Sequence, residues 1–286
     1  MNPKKLGPQG RNIPWLHLLD ERSRELLQLR ARILRRGDEE AYHDIRVATR
    51  RLQELVAFLN PFLPQRRARR LWRRARKIRR AVSDTRNADV MRLVAAKLCP
   101  DLDQDHSRSL KKLCSRCLPV PRRRRPRSLP EARKRIAALR ARFHDPAPGA
   151  VRTRAEQLLE ERLARLAKAR RNARSGSPRA MHRLRIAVKH YRYLLELLSP
   201  LGLVGAEPVL EKAQSAQHTL GKLHDLDMLV EFLEDNGSSK DMRRALARER
   251  QRRLQESRRE IATLPVIDIR WKPGSSPARR PRRAKR

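Results

Sequence analysis

In 286 residues, 71 Lys and Arg stand against 31 Asp and Glu, a formal charge of +40. So large an excess repels itself in any compact form and must be offset by a polyanion or by counterions. An aromatic content of 3% is too low for a row of stacking platforms, and ten glycines leave little for backbone phosphate cradles.

Residues 1–12 are polar and basic, with no apolar run that could serve as a signal segment. No stretch approaches the length of a membrane span, so the chain is expected to be cytoplasmic and to have no membrane partner. Pro14 opens a helix to about Arg36, with Leu16, Leu19, Leu26, Leu29 and Ile33 inward. Gly37-Asp38 breaks it. In the next helix Ile45, Ala48, Leu52, Leu55, Val56 and Leu59 share one apolar arc, and His43, Arg46, Arg50 and Gln53 lie opposite until Pro61 stops the helix. Ten of residues 66–80 are Arg or Lys, around Leu71, Trp72 and Ile78. Arg76, Arg79, Ser83 and Arg86 fall near one line of this helix, which is either a solvated basic surface or a wall of an anion site. A short turn is expected at Ser83–Val90.

Cys99, Cys114 and Cys117 with His106 match no common zinc spacing and read as reduced thiols, so no metal or cofactor is expected. Residues 119–130, rich in Pro and Arg, read as a linker. Helical patterning resumes near Glu131, breaks at Asp145–Gly149 and continues over about 151–173. Ser177 caps the next helix and Pro178 sits in its first turn. Leu184, Ala187, Tyr191, Leu194, Leu195 and Leu198 face inward there, opposite His182, Arg185, Lys189 and Arg192, until Pro200. A helix over about 206–222, a turn, a short helix to about Leu233 and a last helix over 239–263 complete the fold. Val266–Ile269 is strand-like but isolated. Residues 270–286 hold eight cations and no acid and read as a disordered tail. The expected division is a flexible N-terminus at 1–12, a helical half at 13–118, the linker at 119–130, a second half at 131–263 and the tail at 264–286.

The two halves repeat. His43, Arg46, Ala48, Leu55, Leu59 and Pro61 are identical to His182, Arg185, Ala187, Leu194, Leu198 and Pro200, a constant offset of 139. Ser83–Val90 matches Gly221–Met228 at an offset of 138, which sets Arg86 opposite His224 and Asp89 opposite Asp227. Asn87 and Asp225 are candidate N-caps, and the final Asp of each turn could instead hold a cationic side chain. A single-sign stripe repels itself along its helix, yet here it occurs twice in register, which favours a surface meant for an anion.

These residues resemble the conserved histidine α-helical domain (CHAD) family. Its pattern is a His-x-x-Arg-x-x-x-Arg/Lys helix and a Gly-x-x-Arg/His-Asp-x-Asp turn, each occurring twice. The resemblance covers about residues 15–263; Ser83 and Asn87 stand where Gly and Asp are usual. It implies an all-α fold of two pseudo-symmetric antiparallel helical bundles, enclosing a basic surface that binds inorganic polyphosphate, and a role in organising polyphosphate granules. On that reading the binding residues are His43, Arg46, Arg50, Arg76, Arg79, Arg86, His182, Arg185, Lys189, Arg192 and His224. His17, His106, His144, His190 and His218 have no matching partner and receive no role.

No Gly-rich phosphate loop, nucleophile elbow or His-Glu-x-x-His occurs, and carboxylates are scattered rather than paired. The chain therefore reads as a binder, not an enzyme; a polyphosphate-processing enzyme is the weaker alternative. Weak, non-specific nucleic-acid binding is the stronger one, because duplexes require only charge. Charge alone does not explain why His, Arg and Lys recur at matching places. The repeated His, flanked by Arg, is expected to be mostly neutral at pH 7 and to take up a proton when a polyanion binds. Oligomeric state is not legible.

Overall fold

The computed structural model describes residues 15–35, 39–81, 83–101, 103–118, 143, 145–201, 203–204, 206–265 and 270–271. The long helices are α1 Trp15–Arg35, α2 Glu39–Leu59, α3 Gln65–Ala81, α4 Ser83–Leu98, α5 Gln104–Cys117, α6 Pro148–Asn172, α7 Pro178–Leu198, α8 Ala206–Asp235 and α9 Lys240–Ala262. The fold is all-α, as the patterning implies. The expected linker, and the helical patterning from Glu131 to Arg142, lie outside the described residues.

Each helix is held by its apolar stripe. In α2, Ile45, Ala48, Leu52, Leu55 and Leu59 are buried. In α3, only Ala68, Leu71, Ala75 and Ile78 are buried, at spacings of three, four and three, while ten cations occupy other positions. Like charges three and four apart oppose a helix. Packing of the apolar stripe on α2 is what stabilises α3. Ahead of α7, Ser177 Oγ accepts from Ala180 N–H and Pro178 begins the helix, as expected. Gly176, at φ 68°, makes the preceding bend, where a Cβ would stand 2.9 Å from Leu254 Cδ2. Both the left-handed backbone and the close approach require glycine there.

The expected turns are not turns. Gly221–Met228 lies inside the unbroken 30-residue α8, so Asp225 is not at a helix N-terminus. Leu220, Leu223, Leu226, Leu229 and Leu233 are buried at spacings of three and four straight through Gly221. A glycine inside a helix costs only about 1 kcal/mol, less than one buried leucine contributes. In the first half the matching segment opens α4 at Ser83, so the backbone of Asn87 is already helical; its side chain lies outside the described residues. At the repeat offset, α3 and α4 together correspond to the single α8. Arg270–Trp271, expected in the tail, pairs antiparallel with Leu203–Val204. The strand-like Val266–Ile269 itself lies outside the described residues.

The core draws on both halves. One cluster joins α1, α2, α3, α6, α7, the first part of α8 and, through Leu254 and Ile261, α9. A second joins Val94, Leu98, Leu110 and Cys114 of α4 and α5 to Leu226, Leu229, Leu233, Met242 and Leu246 of α8 and α9. Neither half is closed on itself. The crossing of α2 and α7 is also fixed by a buried ion pair. Arg162 of α6 donates to Glu54 of α2 at 2.6 Å, and His190 of α7 lies 3.3 Å from the other Glu54 oxygen. Burial raises the Glu54 carboxyl, but His190 and Arg162 outweigh it and the net shift is downward.

Removing one member of a buried pair strands the other charge. Glu54→Leu is expected to lower stability by about 3 kcal/mol, and Glu54→Leu with Arg162→Met to recover most of it. Urea unfolding of the three proteins measures both.

Candidate anion-binding site

The two basic stripes meet where α2 crosses α7. Lys189 of α7 is only 5% exposed. Burial pushes its amine down to about 5, with Arg185 of its own helix, Arg50 and Arg46 of α2, and Arg79 of α3 adding to the effect. Four arginines from three helices thus act on one buried amine. Two turns back on α7, His182 packs on His224 of α8, with Nδ1 atoms 3.3 Å apart and ring centroids 4.4 Å apart. Burial, then Arg185, then His182 and Lys189, bring His224 down to about 3. His182 is lowered by burial, Arg185 and Lys189. Among the described residues, the groups that lower these three are arginine, lysine and histidine side chains. The free site therefore holds a neutral amine and a neutral imidazole pair within a cage of guanidinium groups.

Neighbouring groups fix the cage. Gly221 of α8 lies against Arg185, where a Cβ would stand 3.9 Å from Nε. Arg79 Nη1 donates to Gln53 Oε1 at 3.0 Å, and Gln53 Nε2 donates to the Trp72 carbonyl at 3.4 Å. Burial lowers the Arg79 guanidinium, with Arg50, Arg76 and Arg80 adding to it. Arg250 of α9 donates to Asp227 at 2.6 Å and to the Gly176 carbonyl at 2.9 Å, tying α8 to the start of α7. Holding a cation, the role read for the final Asp of this segment, is the one Asp227 has.

The other expected residues are placed differently. His43 is on the exposed side of α2, and Arg76 is exposed with its guanidinium 5.7 Å from the Trp72 ring centroid. Arg192 is turned inward: it donates to Gln217 Oε1 at 2.9 Å, pairs with Glu196 and lies 4.4 Å over the Tyr193 ring. Its charge is met within the protein. The side chain of Arg86 lies outside the described residues. Gln217 was missed, although it is Arg79's counterpart at the repeat offset, as Arg192 is Gln53's. The Arg–Gln bond is kept in both halves with the partners exchanged.

A cavity of about 580 Å³ lies elsewhere, between α6, α7 and α9. Two of its four arginines are occupied: Arg170 donates to the Leu264 carbonyl and Arg258 to that of Arg174. The cysteines are free, with burial raising the Cys114 thiol. Among the described residues, no group of three His, Cys, Asp or Glu could hold a metal ion, and no helix is long and apolar enough to cross a membrane.

Fold and site together define an all-helical protein in which two repeated basic helices converge. The chain belongs to the CHAD domain family, whose profile matches residues 17–234. Its structure is similar to the crystal structure of the CHAD domain from the plant Ricinus communis, with a TM-score of 0.65 and 19% identity, covering 90% of this chain and 93% of that one. At that identity the likeness shows a shared fold. No curated protein matches. The family is associated in general with polyphosphate binding.

The sign of the Lys189 shift sets a stability profile. Its folded pKa of about 5 lies below the ordinary 10.5, so between these values the unfolded chain binds the extra proton. Stability from this residue is complete above pH 10.5 and is lost as pH falls towards 5. His224 adds the same trend between 6.5 and about 3. Lys189→Met is expected to flatten the rise in unfolding free energy between pH 5.5 and 9, measured by urea titration at constant ionic strength.

Proposed function

We propose that the protein binds inorganic polyphosphate in the groove between α2, α3 and α7 and does not alter it chemically. The observation that carries this reading is the convergence of Arg46, Arg50, Arg79 and Arg185 on the buried Lys189 amine. Guanidinium groups suit phosphate oxygens because their donors form a planar fork, and Lys acts as a point charge. A phosphate chain is flexible and carries negative charge on every unit, so it can follow cations supplied by three helices. Cytoplasmic location and organisation of polyphosphate granules fit this reading, with bulk charge beyond the groove supporting weak nucleic-acid binding.

Binding reverses the sign of the field on Lys189, His182 and His224, so they take up protons and affinity rises as pH falls from about 8 to 6. Calorimetry in two buffers of different ionisation enthalpy counts those protons. Lys189→Met is expected to reduce the count, and zero uptake by the wild type would show that the buried end of the groove stays empty.

Specificity is tested by displacing labelled polyphosphate with unlabelled polyphosphate, DNA or RNA at equal phosphate concentration. The wild type is expected to prefer polyphosphate. Arg46→Glu with Arg185→Glu is expected to weaken polyphosphate binding about tenfold or more and to erase the preference. Deleting residues 272–286 is expected to weaken all three alike. Equal displacement of the label from wild type by all three competitors would assign the chain to non-specific nucleic-acid binding.

A further inference from the structure

The cationic groove does not end at Arg79. On α3, Trp72, Arg76 and Arg79 are spaced four and three apart and share one face. On α2, Arg50, Gln53 and Ala57 continue the matching face, and Asn60 follows in the 3-10 turn after the helix. Gln53 bridges the two helices at this point, accepting from Arg79 and donating to the Trp72 carbonyl. Just past it lies a groove of about 370 Å³ between α2 and α3. Val56, Ala57 and Ala68 form its apolar floor, and Trp72, Asn60 and two arginines, Arg69 and Arg73, form its rim.

Trp72 is the only exposed aromatic among the described residues, at 36%. Exposing an indole on the most basic helix of the chain forgoes burial that this side chain would otherwise contribute. The adjoining groove is apolar within while its rim is cationic. That combination suits a flat, uncharged ring attached to an anion, and suits neither an inorganic anion nor an aliphatic chain. Asn60 supplies both a donor and an acceptor, as the edge of a nucleobase does. From Trp72 to Arg79 the helix rises about 10 Å, a span that a ribose and an extended phosphate chain cover.

We propose that this groove takes the base of a nucleoside polyphosphate, stacked on Trp72, with its phosphates running past Arg76 and Arg79 towards Arg50. This rests on the reading of the cationic cluster as an oligophosphate site. A single stacking platform favours one base over a single-stranded nucleic acid, which draws on several in succession.

The test compares adenosine 5′-tetraphosphate with tripolyphosphate, which carry the same charge when fully ionised, by calorimetry with the full-length protein. The nucleotide is expected to bind about tenfold more tightly. Trp72→Ala is expected to remove that advantage while leaving tripolyphosphate affinity within about twofold, and Trp72→Phe to keep most of it. Because the indole is exposed, neither substitution opens the core, and unchanged thermal unfolding checks this. Equal affinity of the two ligands for wild type, or an advantage that survives Trp72→Ala, overturns the base subsite while leaving the oligophosphate site standing. If neither ligand binds, both readings fall. A uridine homopolymer that loses more affinity on Trp72→Ala than the nucleotide does would overturn the proposal in favour of nucleic acid.

Discussion

The constraint on which the site depends is repulsion between like charges held together. Where α2 crosses α7, four guanidinium groups act on one buried amine. Left to solution, such groups would separate. They stay because the opposite faces of the same helices are locked into one core, with Ile45, Leu52 and Leu55 on α2 and Leu184, Val188 and Tyr191 on α7. The site relaxes by losing protons rather than by moving helices: Lys189 and the histidine pair are neutral where free side chains would be partly or wholly charged. That is stored free energy. A ligand that restores the charged forms recovers it, and a neutral ligand cannot.

The choice of Gln rather than Glu beside Arg79 follows from the same constraint. A carboxylate at position 53 would hold the guanidinium as well, but would cancel its charge. An amide orients it without adding a negative charge of its own. In the second half the exchanged pair, Arg192 and Gln217, is joined by Glu196, which is also 3.7 Å from Arg51. There the cation is neutralised and serves packing. The halves therefore share a plan but differ in output: α2 and α3 supply three of the four arginines, whereas α7 and α8 supply the fourth, the buried amine and the imidazoles.

Most helices were legible because each carries a continuous apolar stripe, and the doubling of the basic stripe pointed to the faces that converge. The turn at Gly221–Met228 was misread because Gly, Asp and Asp favour a break locally. The run from Leu220 to Leu233 favours continuity, and burial along 30 residues outweighs local preference. The inward turn of Arg192 was within reach, since Glu196 stands one helical turn away at i+4. What no pattern could supply was the partner of His182. His224 comes from a helix 42 residues on, and its counterpart in the first half is an arginine, so the repeat concealed the pairing. The pairing of Leu203–Val204 with Arg270–Trp271 was equally invisible, because two residues are too short for periodicity.

The histidine pair also changes how protons are counted at the site. One His in each repeat suggests two independent protons. The structure instead separates His43, exposed on α2, from His182, whose Nδ1 faces that of His224 at 3.3 Å. In that contact one Nδ1 carries a hydrogen and the other accepts it, so the two rings are opposite tautomers. One Nε2 then donates and the other accepts. A proton added to the accepting Nε2 makes both outer nitrogens donors without breaking the contact between the rings. A second would place two hydrogens between the Nδ1 atoms and force the rings apart. While the rings stay packed, the pair titrates as one unit with a single proton. Its outer nitrogens change from a mixed donor and acceptor to two donors, and only the latter arrangement matches an oxyanion that offers nothing but lone pairs.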